Sequence, residues 1–243
     1  AIVAVLTMLT GASLLLLFAL EGVLCLAMAS PLVLMLVLLG AFAAWSLASN
    51  QSFPPVAMLL LALPLMAIAE PDWKIPLREV ETTIIIDASP ETVWNNVTGF
   101  SELPAPDRWF FDLGIAYPKR AILEGSGVGA IRYCEFSTGP FVEPITDWDP
   151  PKRLGFSVQS QPPTMEEWSP YQLVHAPHLT QGLESKRGEF RIIPLENGQT
   201  LLEGSTWYTL DMHPQFYWGI WGDQLIHAIH KRVLNHIKNS SES

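Results

Sequence analysis

The stretch WGDQLIHAIHKRVLNHI, residues 221 to 237, carries three of the six histidines of the chain on one helical pattern. Imidazoles can ligate a metal or shuttle protons, and both uses demand that the rings converge. At 100° per residue His227 and His236 point about 180° apart, so they cannot share an ion. His227 and His230 lie about 60° apart and could supply two ligands, with His175 and His178 of LVHAPHL as a second pair. Neither pair has an adjacent Cys or an H-E-x-x-H pattern, so no metal site is expected. His236 falls at the end of an apolar stripe formed by Trp218, Trp221, Leu225, Ile226, Ile229, Val233 and Ile237, the face expected to cover a sheet.

Other chemistry is sparse. GSGVG, with Gly125, Gly127 and Gly129, sits between strand-like segments with no helix start to receive an anion, so it reads as a hairpin turn. There is no G-x-S-x-G, no carboxylate cluster and no reactive cysteine motif, so no catalytic residue is assigned and no cofactor is expected. Cys25 and Cys134 lie in an apolar run and in a strand, and no disulfide is expected between them.

Charge divides the chain. All 14 Lys and Arg residues lie beyond position 73, as do 21 of the 24 acidic residues, all but Glu21, Glu70 and Asp72. The charged part is net acidic without a basic cluster, which excludes nucleic acid as a partner. Residues 1 to 72 are expected to form a transmembrane helical anchor of two to three spans, and residues 73 to 243 a ligand-binding domain. The apolar runs suggest a helix to about residue 28, a reversal at Ser30-Pro31, a second helix to about 48 and a short third passage over 53 to 69. No basic stretch precedes the first run, so no signal peptide is recognised. Trp45 and Trp73 end apolar runs as interfacial aromatics do, and Lys74 and Arg78 place the following domain on the cytoplasmic side of a multi-pass cell-membrane protein. Glu21, with no basic partner in its segment, is expected near a helix end rather than in an ion path.

Beyond residue 78 the periodicity changes. VETTIIIDA reads as a strand, and SPETVWNNV as a helix with Ser89 as N-cap and Pro90 in its first turn. Strands are expected around 120 to 124, 129 to 137, 141 to 148, 153 to 160, 187 to 195 and 200 to 210, then a helix over 214 to 238. Residues 161 to 182 form a long insertion containing Met165, Trp168, Tyr171, Leu173 and Leu179, expected to pack as a lid. The fold class is α+β, a curved antiparallel sheet gripping a long C-terminal helix.

The segments DASPETVW, GSGVGAIRYCEF, GPFVEPITDWDPPKRLGFSV and GEFRIIPLENGQTLLEGSTWY resemble, in this order, the SRPBCC superfamily, also called START-like, Bet v 1-like or polyketide cyclase and lipid-transport proteins. The resemblance spans residues 79 to 240. It implies a helix-grip fold with a cavity between sheet and helix that takes an apolar small molecule or a lipid, and in some members cyclase or dehydrase chemistry. Alternation puts Ile131, Tyr133 and Glu135 on one face and Arg132, Cys134 and Phe136 on the other, leaving open which face is concave. Leu202, Thr206, Tyr208 and Leu210 share a face opposite Leu201, Glu203, Ser205 and Trp207. The candidate ligand-binding residues are Arg132, Tyr133, Glu143, His178, Glu203, Tyr208, Trp218, Leu225 and His236. Tyr133, Glu143, His178 and Glu203 double as acid and base if the domain is an enzyme. A weaker alternative makes Ile220, His227 and Leu234, spaced by sevens, an exposed stripe that meets a partner or the bilayer.

Overall fold

The computed structural model describes residues 2–18, 20–49, 75–106, 108–167, 179, 182–196 and 198–243. It forms two units, residues 1–74 with 167–176, and residues 75–166 with 177–243.

In the first unit α1 (Ile2–Leu17) and α2 (Val23–Ala48) are joined by a short turn that contains Glu21 and Gly22. The reversal expected at Ser30-Pro31 does not occur, and α2 runs through Pro31. Proline removes the N–H that would bond the carbonyl four residues back. Here that carbonyl is Ala27 O, and the Ser30 hydroxyl donates to it at 2.8 Å, so the helix continues without an orphaned acceptor. Glu167 accepts the backbone N–H groups of Leu24 and Cys25 at 3.0 and 2.8 Å, satisfying the start of α2. A Cβ on Gly22 would overlap the Glu167 carboxylate. Of the two spans expected here, one meets the length requirement: Val23–Ser46, 24 residues, reaches about 36 Å against a hydrocarbon core of about 30 Å. At 16 residues, α1 reaches only about 24 Å. The expected third passage lies outside the described residues.

The second unit holds β1 (Leu77–Ile86), α3 (Pro90–Thr98), α4 (Trp109–Asp112), β2 (Pro118–Glu124), β3 (Ile131–Phe136), β4 (Gly139–Asp149), β5 (Arg153–Ser157), β6 (Leu183–Pro194), β7 (Thr200–Leu210) and α5 (Gln215–Ser241). The seven strands form one sheet in the order β1-β7-β6-β5-β4-β3-β2, with every neighbouring pair antiparallel. This is the expected helix grip. Ser89 caps α3 by accepting from Thr92 N at 3.3 Å, with Pro90 at the first helical position. Gly125, Gly127 and Gly129 all have positive φ, which makes GSGVG the hairpin between β2 and β3.

The core fills one end of the grip. Val93, Trp94 and Val97 of α3 and Val233, Leu234 and Ile237 of α5 pack on Ile86, Leu154, Ile192 and Leu202 of the sheet. Leu234 is only 1% exposed, so the stripe Ile220, His227 and Leu234 is not a surface. All three share one face of α5, where His227 bonds Thr82 of β1 and Leu234 lies in the core, while Ile220, nearer the start of the helix, is exposed. A second cluster, Val80, Tyr208, Leu210 and Ile226 with Trp218 and Met212, packs the start of α5 against β1 and β7.

Candidate functional site

The register settles which face is concave. Arg132 and Cys134 are buried, whereas Tyr133 between them is only half-buried and shares the convex face with Glu135. Glu143 and Ile145 of β4, Leu154 and Phe156 of β5, and Phe190 and Ile192 of β6 are buried on the concave side, with Phe141 half-buried beside them. Its floor holds an ion pair. Arg132 and Glu143 are register partners, and the Arg132 Nη1 donates to Glu143 Oε2. The guanidinium carbon sits 5.5, 5.3 and 5.7 Å from the ring centroids of Phe100, Phe156 and Phe190. Three aromatic faces therefore stabilise the cation where water is excluded. Its Nε is buried with no hydrogen-bond partner among the described residues. Burial pushes the Glu143 carboxyl above its usual range, the attraction of Arg132 offsetting part of that rise. Burial also pushes the neighbouring Cys134 thiol up to about 12, which keeps it an inert thiol.

Of the expected site residues, the fold joins Arg132 to Glu143 as an ion pair and packs Trp218 into the cluster that holds Tyr208. Glu203 lies on the convex face, where Arg191 Nη1 approaches it to 3.1 Å. That pair extends a charged ladder in which Arg153 joins Asp147 at 3.0 Å and Glu189 at 2.8 Å. Tyr208 is concave but completely buried. Its hydroxyl donates to Asp223 Oδ1 at 2.6 Å and accepts from Arg78 Nε at 3.0 Å. Arg78 Nη2 meets Asp223 Oδ2 at 2.5 Å, closing a three-residue lock. Burial, then the bond to Asp223, raises the Tyr208 pKa, so the phenol stays protonated. Gly219 and Gly222 admit this lock: a Cβ there would come within 2.7 Å of Arg78 Cζ and 2.8 Å of the Tyr208 hydroxyl.

The histidines of α5 act as structural groups in this geometry. Thr82 Oγ1 lies 2.7 Å from His227 Nδ1 and 3.1 Å from His230 Nδ1, and Thr206 Oγ1 lies 2.8 Å from His230 Nε2. Both ring nitrogens of His230 are thus taken by hydroxyls on β1 and β7. Burial lowers its pKa to about 4, with a smaller push from His227. Sequence reasoning missed these threonine partners, though Thr82 and Thr206 are the polar inward positions on their strands. His236 is half-buried, 3.5 Å from Ser101 Oγ, with its ring edge toward Phe100 at 6.0 Å. Burial, and secondarily Arg232, lower its pKa. His175 and His178 lie outside the described residues.

One flank of α5 is left half-exposed. Trp218, Trp221, Leu225, Ile229, Arg232 and His236 project within about 80° of one another. All are of intermediate burial. Arg232 reaches the Pro118 carbonyl at 3.2 Å and stands 5.3 Å from the Tyr117 ring, so this flank faces the β2 half of the grip. Trp218 is also pinned through Nε1 to the His213 carbonyl at 3.2 Å. Within the lid expected over 161 to 182, Met165 bridges to Ile115 and Leu179 is buried, while Trp168, Tyr171 and Leu173 lie outside the described residues.

A seven-stranded antiparallel sheet around a C-terminal helix, with an ion pair in an apolar concave floor, defines a helix-grip domain. The chain belongs to the polyketide cyclase / dehydrase and lipid transport family, whose model matches residues 78–214. Membership supports hydrophobic ligand binding in general terms. No curated protein matches the sequence. Among solved structures the chain is similar to a protein of Nitrosospira multiformis (17% identity, 68% of this chain and 97% of that one, TM-score 0.42). It is similar to norcoclaurine synthase from Thalictrum flavum, solved in complex with dopamine and hydroxybenzaldehyde (13% identity, 68% and 86% covered, TM-score 0.43). A START superfamily protein from Mycobacterium smegmatis matches at 13% identity, 68% and 97% covered, with TM-score 0.43.

Proposed function

We propose that the protein is a membrane-tethered binding module that takes one hydrophobic small molecule or lipid between the concave face and α5. The carrying observation is the asymmetry of the grip. One end is filled by the α3 and α5 core, while Trp221, Leu225 and Ile229 stay half-exposed on a flank that faces the β2 half. A ligand there would lie against Phe141 and Phe136, with Leu225, Trp218 and His236 along its side. The Arg132–Glu143 pair lies beneath, mutually neutralised and almost wholly buried, so the floor presents no net charge, which suits a neutral, largely apolar molecule. A helix long and apolar enough to cross a bilayer supports the tether, and Lys74 and Arg78 after the apolar region favour a cytoplasmic domain. Tethering beside a lipid reservoir raises the effective concentration of apolar ligands.

The test is extraction and mass spectrometry of apolar molecules from the full chain purified in mild detergent, alongside Leu225→Trp and Ile229→Trp. Wild type should carry a discrete molecule near one per chain, and the two variants less than half of that. Equal recovery from all three would place bound lipid outside the grip.

One observation favours the enzymatic reading, the 2.6 Å bond between a tyrosine and a carboxylate at Tyr208 and Asp223. Tyr208 has no exposed surface, however, so its phenol cannot reach a ligand without movement of α5. Binding is therefore the better supported activity.

A further inference from the structure

The second unit exposes an unusual set of large apolar side chains. Trp109 is 71% exposed, Phe216 64%, Ile220 61% and Leu77 57%, with Leu113 and Ile75 also open to solvent. Strand register places Leu77 at one end, and the connections and contacts around it bring the others there. β1 starts at Leu77, opposite Thr209 near the end of β7, and α5 begins a few residues beyond that end. Arg78 touches α5 at Asp223 and beside Gly219, which sets Ile220 and Phe216 next to the start of β1. Residues 109 to 117 lead into Pro118, which pairs with Phe136 at the β3–β4 turn, and that turn lies at the same end. The opposite end carries the β2–β3 hairpin with Val128.

We infer that this end of the domain inserts its apolar side chains into the lipid bilayer, so that the grip opens directly onto the membrane. The inference rests on the tethered reading above and deepens it by naming the surface. A bilayer is the occupant that chain length dictates. The apolar run 53 to 69 ends at Ala69, and Ile75 is six residues further. At about 3.6 Å per residue, Ile75 stands within roughly 20 Å of the point where that run ends. Trp73 and Lys74 in the interval are residue types favoured at the headgroup level. The first turns of α5, QFYWGIW, present Phe216 and Ile220 outward with no charged residue among them, as an interfacial helix does. At the second contact Arg108 and Asp112 flank Trp109 with opposite charges, so insertion is driven by apolar burial rather than by attraction to anionic lipid.

The full chain, reconstituted in phosphatidylcholine vesicles, tests this with single labels at Trp109→Cys, Phe216→Cys, Ile220→Cys and Val128→Cys. Cys25 and Cys134 are buried, so an environment-sensitive maleimide goes to the introduced thiol, with the wild-type chain as background. Brominated phosphatidylcholine should quench the labels at 109, 216 and 220 several-fold more than the label at 128, equally at low and high salt. Iodide in the aqueous phase should give the reverse order. Equal bromolipid quenching at all four positions, in vesicles that retain the chain after alkaline carbonate, overturns this surface and leaves the tether standing. Release of the chain by carbonate overturns the tether, and this surface with it.

Discussion

Arg132 and Glu143 face each other as register partners across β3 and β4, joined by a hydrogen-bonded ion pair and roofed by Phe100, Phe156 and Phe190. Both side chains are almost wholly buried. Removing one partner strands the other charge in an apolar interior, at a cost of about 3–5 kcal/mol, whereas replacing both by apolar groups is close to neutral. Arg132→Met should therefore destabilise the full chain strongly in thermal unfolding, and Arg132→Met with Glu143→Leu should recover most of the loss. If the double variant were as unstable as the single, the pair would be holding the sheet by more than mutual neutralisation.

The polar chain through His230 makes stability depend on pH. Its pKa is held near 4 in the folded domain, against about 6.5 in an unfolded chain. Below 6.5 the unfolded chain binds a proton that the folded one refuses. The contribution is thus fully present above about pH 6.5 and is lost as pH falls toward 4, about 2 kcal/mol of it between pH 7 and 5. His230→Gln, which can still bond a threonine hydroxyl, should flatten that part of the stability curve. An unchanged slope would assign the acid sensitivity to other groups.

Gly222 and Tyr208 are in steric contact through a missing side chain. Gly222→Ala places a Cβ 2.8 Å from the Tyr208 hydroxyl, and overpacking of this kind costs about 1–3 kcal/mol. Combining it with Tyr208→Phe removes the clashing oxygen and should cost less than the sum of the two single changes. Strict additivity in denaturant melts would mean that α5 shifts rather than presses on the phenol.

At the other end of the domain, Ser89 accepts the Thr92 N–H at the start of α3. Ser89→Ala should cost about 1 kcal/mol, and Ser89→Asp should retain most of the stability because its carboxylate also suits the positive end of the helix dipole. A neutral Ser89→Ala in the same melts would mean that α3 is held by the packing of Val93, Trp94 and Val97 alone.

Much of the fold was readable because its signals are local. The SPET cap, the positive-φ glycines of GSGVG and the alternation in β3 and β7 each specify an element without tertiary information. The α1–α2 hairpin was misplaced because Ser30-Pro31 reads as a break, and only the Ser30 bond to Ala27 shows how the helix survives it. In the site, Arg132 and Glu143 were legible as candidates because each is a charged residue in an apolar strand. Glu203 was indistinguishable from them in sequence, as an acidic residue in an apolar strand, until Arg191 on β6 was seen to claim it on the convex side. The Arg78–Tyr208–Asp223 lock ties Arg78 to two residues more than a hundred positions away, and its one sequence trace is the Gly219 and Gly222 spacing.

The central claim is that the half-exposed flank of α5 and the concave face enclose an apolar molecule. Native mass spectrometry of the detergent-released full chain measures this most directly. A discrete adduct of one apolar molecule per chain, diminished in Leu225→Trp, is the expected spectrum. A bare polypeptide mass under conditions gentle enough to keep the protein folded would contradict it.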